Sequence, residues 1–294
     1  EARRSSLSRL VQDLRTHLDR KLANYEDTLS NARLALTHQK RGELLIANLY
    51  RLTPGLKEIT VEDLYEESMP LMTIPLEPLL TGIENAQRFF RLYNKAKSSI
   101  QNLTPMQTAA NEELRYLQSL HLSLEQASNA VELEEIHQEL MDQGYIATKH
   151  KHGGKGKKAA APEPSKPRCF TSSQGRPVFV GKNNQQNERL TLKQGQPRDL
   201  WLHVKNTPGS HVLVPLHDGE EFPDDQTLEE AAALAIFFSQ ARGSTLVAVD
   251  YTHVKQLKKP KGAKPGMVIY EQNWTLYLTP SPETLQALFQ TEQG

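Results

Sequence analysis

A long apolar stripe at helical spacing constrains this chain more than any other sequence feature. Its members recur at steps of three and four, which is the period of an amphipathic α-helix. They are Leu7, Val11, Leu14, Leu18, Leu22, Tyr25, Leu29, Ala32 and Leu36. No proline or glycine interrupts the stripe before Gly42. The stripe predicts a helix from about Arg3 to Lys40, roughly 60 Å long at 1.5 Å per residue. A helix of that length is typical of a coiled-coil arm.

A second helical region returns over a comparable length. Residues 84–101 carry one apolar side, and a further stripe follows it. The members of that stripe are Leu114, Leu117, Leu120, Leu124 and Ala127. Because isolated polar-faced helices are marginal in water, each stripe needs a partner. The sequence therefore predicts an antiparallel coiled-coil hairpin over residues 1–148, with a folded tip at about 42–83 where strand-like alternation and several prolines occur.

The pattern changes after a biased segment at residues 149–168. Lysine and glycine are followed there by alanine and proline, a composition typical of a linker. Short strand-like runs with turn signals and one helical run then alternate over residues 169–280, and residues 281–294 are assigned to a C-terminal tail. The predicted fold class is α+β and multidomain: a long helical hairpin followed by a small mixed α/β domain.

The formal net charge is zero, with 35 basic and 35 acidic residues, but the charge is segregated along the chain. Residues 149–217 have a net charge of +10, and residues 218–230 contain seven acids and no base. This balance excludes a uniformly basic arm. It predicts a polyanion-facing surface in the second half, with the acidic stretch turned away from it.

Cysteine content and hydropathy indicate the compartment. The single cysteine, Cys169, excludes an internal disulfide and a zinc site made of cysteine pairs. We expect a reducing compartment, the cytoplasm. No run approaches the roughly 20 apolar residues of a membrane span, and a signal peptide is not expected from the charged first residues. Since the chain opens without Met, we expect it to begin inside a longer protein.

The first candidate site is the run from Asp199 to Lys205. Strand alternation places Trp201, His203 and Lys205 on one face and the intervening aliphatic residues on the other. An aromatic ring beside cations is typical of an RNA surface, with stacking on bases and charge for phosphate. The turn that follows adds Ser210 and His211 as donors to phosphate. The alternative is structural: a core tryptophan, a satisfied polar group and an ordinary turn.

A second candidate is a lysine-rich loop containing Lys255, Lys258, Lys259, Lys261 and Lys264. Prolines and glycines between the lysines predict a loop, and closely spaced like charges favour binding to a polyanion. A solvated loop is the alternative. We expect this loop to make phosphate contacts, with Lys182, Arg198 and Lys205 extending the surface.

A third candidate is the amide-rich segment at 181–187, where Asn183 and Asn187 suit sugar and base edges. Amides equally suit helix caps, the alternative for Asn183 or Asn184. Catalytic and metal sites are not predicted. The histidines, among them His150 and His152, form no ligand spacing with Asp or Glu, and no nucleophile-elbow pattern occurs. We therefore expect neither a cofactor nor an enzyme active site.

Long motifs in both halves resemble the NFACT family, the RqcH-like ribosome-associated quality control factors, some of which were first described as fibronectin- or fibrinogen-binding proteins. In the second half they are VGKNNQQNERLT at 180–191, DLWLHVKNTPGSHV at 199–212 and VDYTHVKQLKKPKGAKPGMV at 249–268, which resemble the NFACT-R domain. In the first half they are GELLIANLY at 42–50, IPL at 74–76 and NAQRFF at 85–90.

The resemblance implies binding to a large ribosomal subunit that carries a stalled peptidyl-tRNA, with tRNA recruitment and non-templated alanine extension of the nascent chain. The implied partners are that subunit, rRNA, tRNA and, through the tip, ribosomal proteins, with no membrane. The family's N-terminal NFACT-N domain is not recognised, so the chain is interpreted as the coiled-coil arm plus NFACT-R. A matrix-binding adhesin or protein-interaction module is the alternative, and a steep loss of RNA binding with salt would argue against it. The oligomeric state is left open.

Overall fold

The computed structural model describes residues 1–147 and 165–293. It contains two compact units. One comprises Thr16–Glu113, and the other joins Glu1–Arg15 to Leu114–Gly294. Helices and antiparallel sheets give the α+β class expected from the sequence. Most of the linker predicted at 149–168 lies outside the described residues.

Four helices make up most of the first 142 residues. They are α1 (Ala2–Ala35), α2 (His38–Ala47), α3 (Gly82–Gln126) and α4 (Ala130–Asp142). The expectation of one helix as far as Lys40 is wrong. The chain tightens at Leu36 and Thr37, whose N–H groups donate to carbonyls three residues earlier. The Thr37 hydroxyl also donates to the Leu34 carbonyl at 2.8 Å, and such side-chain bonds compete with the helical pattern.

The two apolar stripes of the second helical region belong to one continuous helix, α3. The residues between them include glutamine, methionine, alanine and glutamate, which are good helix formers. Pro105 also lies in this region, and α3 continues through it. The proline is exposed.

The tip has a core of its own in the unit Thr16–Glu113. Strands β1 (Glu58–Glu62) and β2 (Leu71–Pro75) pair antiparallel, as the alternation at Ile59 and Val61 predicted. Their inward side chains pack with α2 and the start of α3. The buried cluster is Leu44, Leu45, Ile59, Val61, Ile74, Ala86 and Phe89.

The second unit contains a six-stranded antiparallel sheet in the order β3-β4-β6-β5-β7-β8. Its strands are β3 (Arg168–Thr171), β4 (Pro177–Val180), β5 (Leu200–Val204), β6 (Val212–Val214), β7 (Val247–His253) and β8 (Trp274–Leu278). The α-helices within residues 165–293 are α5 (Asn184–Arg189), α6 (Asp225–Phe237) and α7 (Pro282–Phe289).

Helix α6 covers one face of this sheet. Alanine and aliphatic residues of α6 pack on Leu200, Leu202 and Val204, the aliphatic side of β5. This alternation confirms the two faces predicted for β5. Leu288 of α7 joins the same core, so residues assigned to a tail contribute to the folded domain.

Of the strand-like runs predicted over residues 169–280, the run at Met267–Tyr270 does not form a strand. Ile269 makes an isolated bridge to Lys258 and nothing longer. Gly262 and Gly266 adopt positive φ angles of 79° and 75°, and neighbouring prolines lack a donor for a ladder. The lysine-rich segment is therefore a loop, as predicted.

Candidate nucleic-acid interface

A cleft of about 240 Å³ lies on the sheet face opposite α6, where β5 turns into β6. The strand supplies Trp201 and His203, and the turn supplies residues 206–209. The loop at 265–270 and one side of α3, at Arg115, Tyr116 and Ser119, complete the walls. Sequence elements more than 150 positions apart therefore meet around one opening.

Aromatic rings dominate the interior of the cleft. Trp201 and His203 alternate with the core residues of β5 and stack on each other, with ring centroids 5.6 Å apart and an interplanar angle of 11°. His211 lies edge-on to the indole at 5.1 Å, and Tyr270 lies 5.3 Å from it. Trp201 is 1% exposed, so the indole belongs to the floor beneath the opening.

Both histidines of the cleft are neutral at physiological pH. Burial lowers the pKa of His203, and burial together with the neighbouring His203 ring lowers the pKa of His211 well below its usual value. The Thr191 hydroxyl lies 2.7 Å from Nδ1 of His211 and fixes that ring. These rings contribute stacking surfaces and hydrogen-bonding nitrogens, and they contribute no positive charge.

Lys205 and Tyr270 share a buried carboxylate. Nζ of Lys205 lies 3.3 Å from Oδ1 of Asp250, and the Tyr270 hydroxyl donates to Oδ2 at 2.9 Å. The Thr275 hydroxyl donates to Oδ1 at 2.6 Å. Burial and the Asp250 contact raise the pKa of Tyr270. The network fixes the Tyr270 ring at the wall of the cleft and pairs Lys205 with a carboxylate.

The amide-rich segment is used inside the protein. Asn183 caps α5 by accepting from the Gln186 N–H at 2.8 Å, and its amide donates to Glu135 at 2.7 Å. Lys182, with a side chain 9% exposed, forms an ion pair with Glu132 at 3.1 Å. The cap interpretation of Asn183 is confirmed.

Asn187 holds the turn that carries His211. Its Oδ1 accepts from the His211 N–H at 3.1 Å, and a Cβ on Gly181 would lie 2.0 Å from that oxygen. Ser210 is also buried, and its N–H donates to the Phe238 carbonyl at 3.0 Å. Asn187 and Ser210, which the sequence predicts as RNA contacts, are therefore buried and hold the backbone around the cleft in place.

The lysine-rich loop contains two kinds of lysine. Lys259 pairs with Glu188 at 2.6 Å. Lys264 lies 3.2 Å from the Tyr145 hydroxyl and over the rings of Tyr116 and Tyr145. The others are exposed, and no ion pair to them occurs within the described residues. These are Lys255, Lys258 and Lys261.

The predicted separation of acidic and basic surfaces does not hold at Arg198. Its guanidinium contacts the carboxylate of Asp218, at the start of the acidic stretch. Nearby, Arg176 pairs with Glu220 at 2.9 Å, and this pairing lowers the pKa of Glu220 to about 2. The acids at 218 and 220 therefore neutralise arginines of the same domain.

Sequence reasoning missed the walls supplied by distant segments. Tyr116 lies in the apolar pattern of α3, and Tyr270 ends the strand-like run that begins at Met267. Nothing local in the sequence marks either as part of an interface. No helix of the described residues is long and apolar enough to cross a membrane, and no cluster there of three or more His, Cys, Asp or Glu suits a metal ion.

Family comparisons agree with the two-part organisation. Residues 1–159 match the family model described as NFACT N-terminal and middle domains, and residues 166–272 match the NFACT protein RNA binding domain. The expectation that the family's N-terminal region is unrepresented is therefore contradicted, because the first model joins that region to the middle domains.

Curated relatives are similar over nearly the whole chain. The Rqc2 homolog RqcH of Bacillus subtilis is 40% identical over 95% of this chain and 48% of its own length. The Rqc2 homolog RqcH of Streptococcus suis is 34% identical over 92% of this chain and 47% of its own length. The chain thus spans about half the length of the curated relatives it matches.

A solved structure is also similar to this chain. It is the C-terminal part of the fibronectin/fibrinogen-binding protein from Streptococcus suis, with a TM-score of 0.70, 30% identity and 97% of each chain covered. The two family models and these relatives show that the chain belongs to the NFACT family.

Proposed function

We propose that this chain is the RNA- and ribosome-binding part of a cytoplasmic ribosome-associated quality control factor. Its partner is the large ribosomal subunit that carries a stalled peptidyl-tRNA, and the whole protein recruits tRNA for alanine extension of the nascent chain. The single observation that carries the proposal is the exposed lysine set Lys255, Lys258 and Lys261 beside an aromatic cleft, within a region that matches an RNA-binding domain.

The lysine loop is held in place before any ligand binds. Lys258 and Ile269 exchange both backbone hydrogen bonds, at 2.9 and 2.8 Å. Lys259 secures the loop to Glu188 of α5, whose carboxylate also accepts from the Gly266 N–H at 3.3 Å. A preorganised loop holds its repelling charges close together, so a phosphate backbone that neutralises them gains attraction and releases counterions.

The helical arm is proposed to be an antiparallel coiled-coil hairpin that carries the tip. Within the unit Thr16–Glu113, Gln107 donates to Glu26 at 2.7 Å and the His38 ring lies 5.4 Å from Phe89. As position increases along α1 and α2, the partner on α3 moves backward, as an antiparallel pair requires. The tip then supplies a contact to a ribosomal protein.

The test is RNA binding as a function of salt. Replacing Lys255, Lys258 and Lys261 together with Ala should lower affinity for all RNA sequences, because phosphate contacts carry no sequence information. It should also flatten the plot of log affinity against log salt by about 2–3 units, since each lost phosphate contact removes 0.7 to 0.9. Fluorescence anisotropy with labelled RNA measures both.

A matched control removes three exposed lysines elsewhere: Lys57, Lys95 and Lys97. This variant should retain the parent affinity and slope. The loop variant should unfold at the parent temperature, since exposed lysines without ion pairs contribute little to stability. Unchanged RNA binding at low and high salt in the loop variant would show that the loop is only a solvated surface.

A second candidate function rests on the name of the similar Streptococcus suis structure, whose protein is a fibronectin/fibrinogen-binding protein. We propose it as an alternative for this chain. Binding to immobilised fibronectin that resists salt and does not require the three loop lysines would favour it over RNA binding.

A further inference from the structure

Trp201, His203, His211 and Tyr270 form a cleft whose interior is aromatic and uncharged, and its function is separable from that of the lysine loop. Phosphate binding calls for cations, yet the two imidazoles inside the cleft are neutral and Lys205 is already paired with Asp250. Arg115 is an exposed cation on the lining. The interior therefore suits a flat, neutral ring, and charge is supplied from the surface.

The volume and lining of the cleft limit its occupant to one ring system. At about 240 Å³ it is smaller than the roughly 300–1,000 Å³ of sites for drug-sized ligands. Stacked and edge-on rings line it, with centroid separations of 5.1 to 5.6 Å around Trp201. Nε1 of Trp201 is a buried donor with no acceptor among the described residues, and native proteins rarely retain such a group without a use.

The turn and the loop that form the walls of the cleft pack closely against neighbouring residues. The turn after β5 places Asn206 at a φ of 55°, a conformation that asparagine tolerates better than most residues. Gly209 packs so tightly that a Cβ there would lie 2.9 Å from the Cβ of Ser239. On the opposite wall, a Cβ on Gly266 would lie 3.1 Å from the Asn184 carbonyl oxygen. The loop and the turn are therefore fixed at a defined separation.

We infer that this cleft binds a single unstacked nucleobase of an RNA strand whose phosphates lie on the lysine loop. The inference rests on the proposed function and deepens it, since it adds a base contact to a surface otherwise expected to bind by charge alone. A base inside a helix is stacked and cannot enter. The protein should therefore prefer single-stranded or looped RNA to duplex RNA of equal charge.

The experiment compares two short single strands of equal length and charge. One is an RNA oligonucleotide, and the other has the same ribose-phosphate backbone without bases. The full chain has two tryptophans, and the experiment uses it with Trp274→Phe, which leaves Trp201 as its one tryptophan. Labelled-strand anisotropy measures binding, and the Trp201 emission reports on the cleft.

The base-bearing strand should bind roughly 5- to 150-fold more tightly than the abasic one, the range expected for stacking of one base, and it should quench Trp201. Equal affinities with no quenching would overturn the nucleobase inference and leave the proposed function standing. If neither strand binds at low salt, the proposed RNA function fails as well.

A filling variant separates the cleft from the loop. Val268 lines the cleft, whereas the adjacent Ile269 does not and is 51% exposed. Val268→Trp should abolish the preference for the base-bearing strand and keep the salt slope, and Ile269→Trp should change neither. If Val268→Trp does not fold, Tyr270→Leu removes one wall instead and should reduce the preference. A base preference that survives a folded filling variant would place the base elsewhere and overturn the inference.

Discussion

At the scale of single residues, Glu139 is a carboxyl group outside the cleft with a strongly raised pKa. It lies on α4 and is fully buried. Tyr116 of α3 donates to its Oε1 at 2.6 Å, and Asn184 of α5 donates to the same oxygen at 3.0 Å. Burial raises the pKa of Glu139 to about 7, against these hydrogen bonds and with a further contribution from Glu188.

A raised pKa makes the stability of the protein depend on pH at this residue. The folded state holds the proton more tightly than the unfolded state, so its advantage is complete below about pH 4.5 and is lost as the pH rises to about 7. The Gln side chain of Glu139→Gln is neutral at every pH, so the variant does not lose stability in this pH range. The free energy of unfolding of the variant relative to the parent should therefore rise by about 3 kcal/mol between pH 4.5 and 7.

Urea denaturation at several pH values measures this difference, with the exposed Glu229→Gln as the control. The control should follow the parent at every pH. Parallel curves for the parent and Glu139→Gln would contradict the assignment of a carboxyl group whose pKa burial raises to about 7.

Sequence reasoning predicted which residues of β5 share a face, but it did not predict the environment of each side chain. Alternation predicted that Trp201 and His203 share a face, because a strand has a period of two. It did not predict that burial holds both histidines of the cleft neutral. Lys182 illustrates the limit: its partner, Glu132, is 50 positions away on α4, and nothing local in the sequence indicates that pairing.

At the scale of elements, α3 contains a proline that lowers the stability of the helix. Pro105 is exposed and lies inside this 45-residue helix. Proline has no N–H, so the Gln101 carbonyl receives no hydrogen bond from position 105, and the ring crowds the preceding turn. The exposed position means that little packing depends on the proline ring.

Pro105→Ala should therefore stabilise the helix by about 1–3 kcal/mol, after allowance for the greater freedom of the unfolded variant. Far-UV circular dichroism during urea denaturation measures the gain. Ser98→Ala, at another exposed position of α3, should change stability by no more than about 0.5 kcal/mol. A destabilised Pro105→Ala would indicate that the ring makes contacts that favour the proline.

The helical period predicted the elements well where the stripes were continuous and poorly at their ends. It could not predict the break at Leu36 and Thr37, since hydrogen bonds from the backbone and a hydroxyl decide that turn. Nor did it join the two stripes across residues 101–114, where the helix has polar faces. Propensity, more than hydrophobic spacing, carries α3 through that region.

At the scale of the whole molecule, the charge of the linear sequence overstates the charge available for RNA. Residues 149–217 have a net charge of +10, but several of their bases are paired in the structure. Lys182, Arg176 and Arg198 contact acids of the same unit. Exposed bases without an ion pair in the described part of the chain, Lys255, Lys258 and Lys261 among them, remain available to a polyanion.

The tip offers a different surface, held in a fixed conformation. Leu79 is 92% exposed, and the segment that carries it is bound to the buried Asn85. The amide of Asn85 donates to the Glu77 carbonyl at 3.1 Å and to the Leu80 carbonyl at 3.2 Å, and its Oδ1 accepts from the Glu77 N–H at 2.8 Å. A large apolar side chain on an ordered segment is suited to insertion into a partner.

Leu79→Asp tests the proposed contact between the tip and a ribosomal protein. Burying a leucine side chain contributes about 1.5–3 kcal/mol, so the variant should bind large subunits at least about tenfold more weakly in co-sedimentation. Leu34→Asp is the matched control, because Leu34 is 69% exposed on α1 and outside the tip. Both variants should keep the parent unfolding temperature, since exposed substitutions rarely exceed about 0.5 kcal/mol. Equal loss of binding in both variants, or none in Leu79→Asp, would place the ribosomal contact elsewhere on the protein.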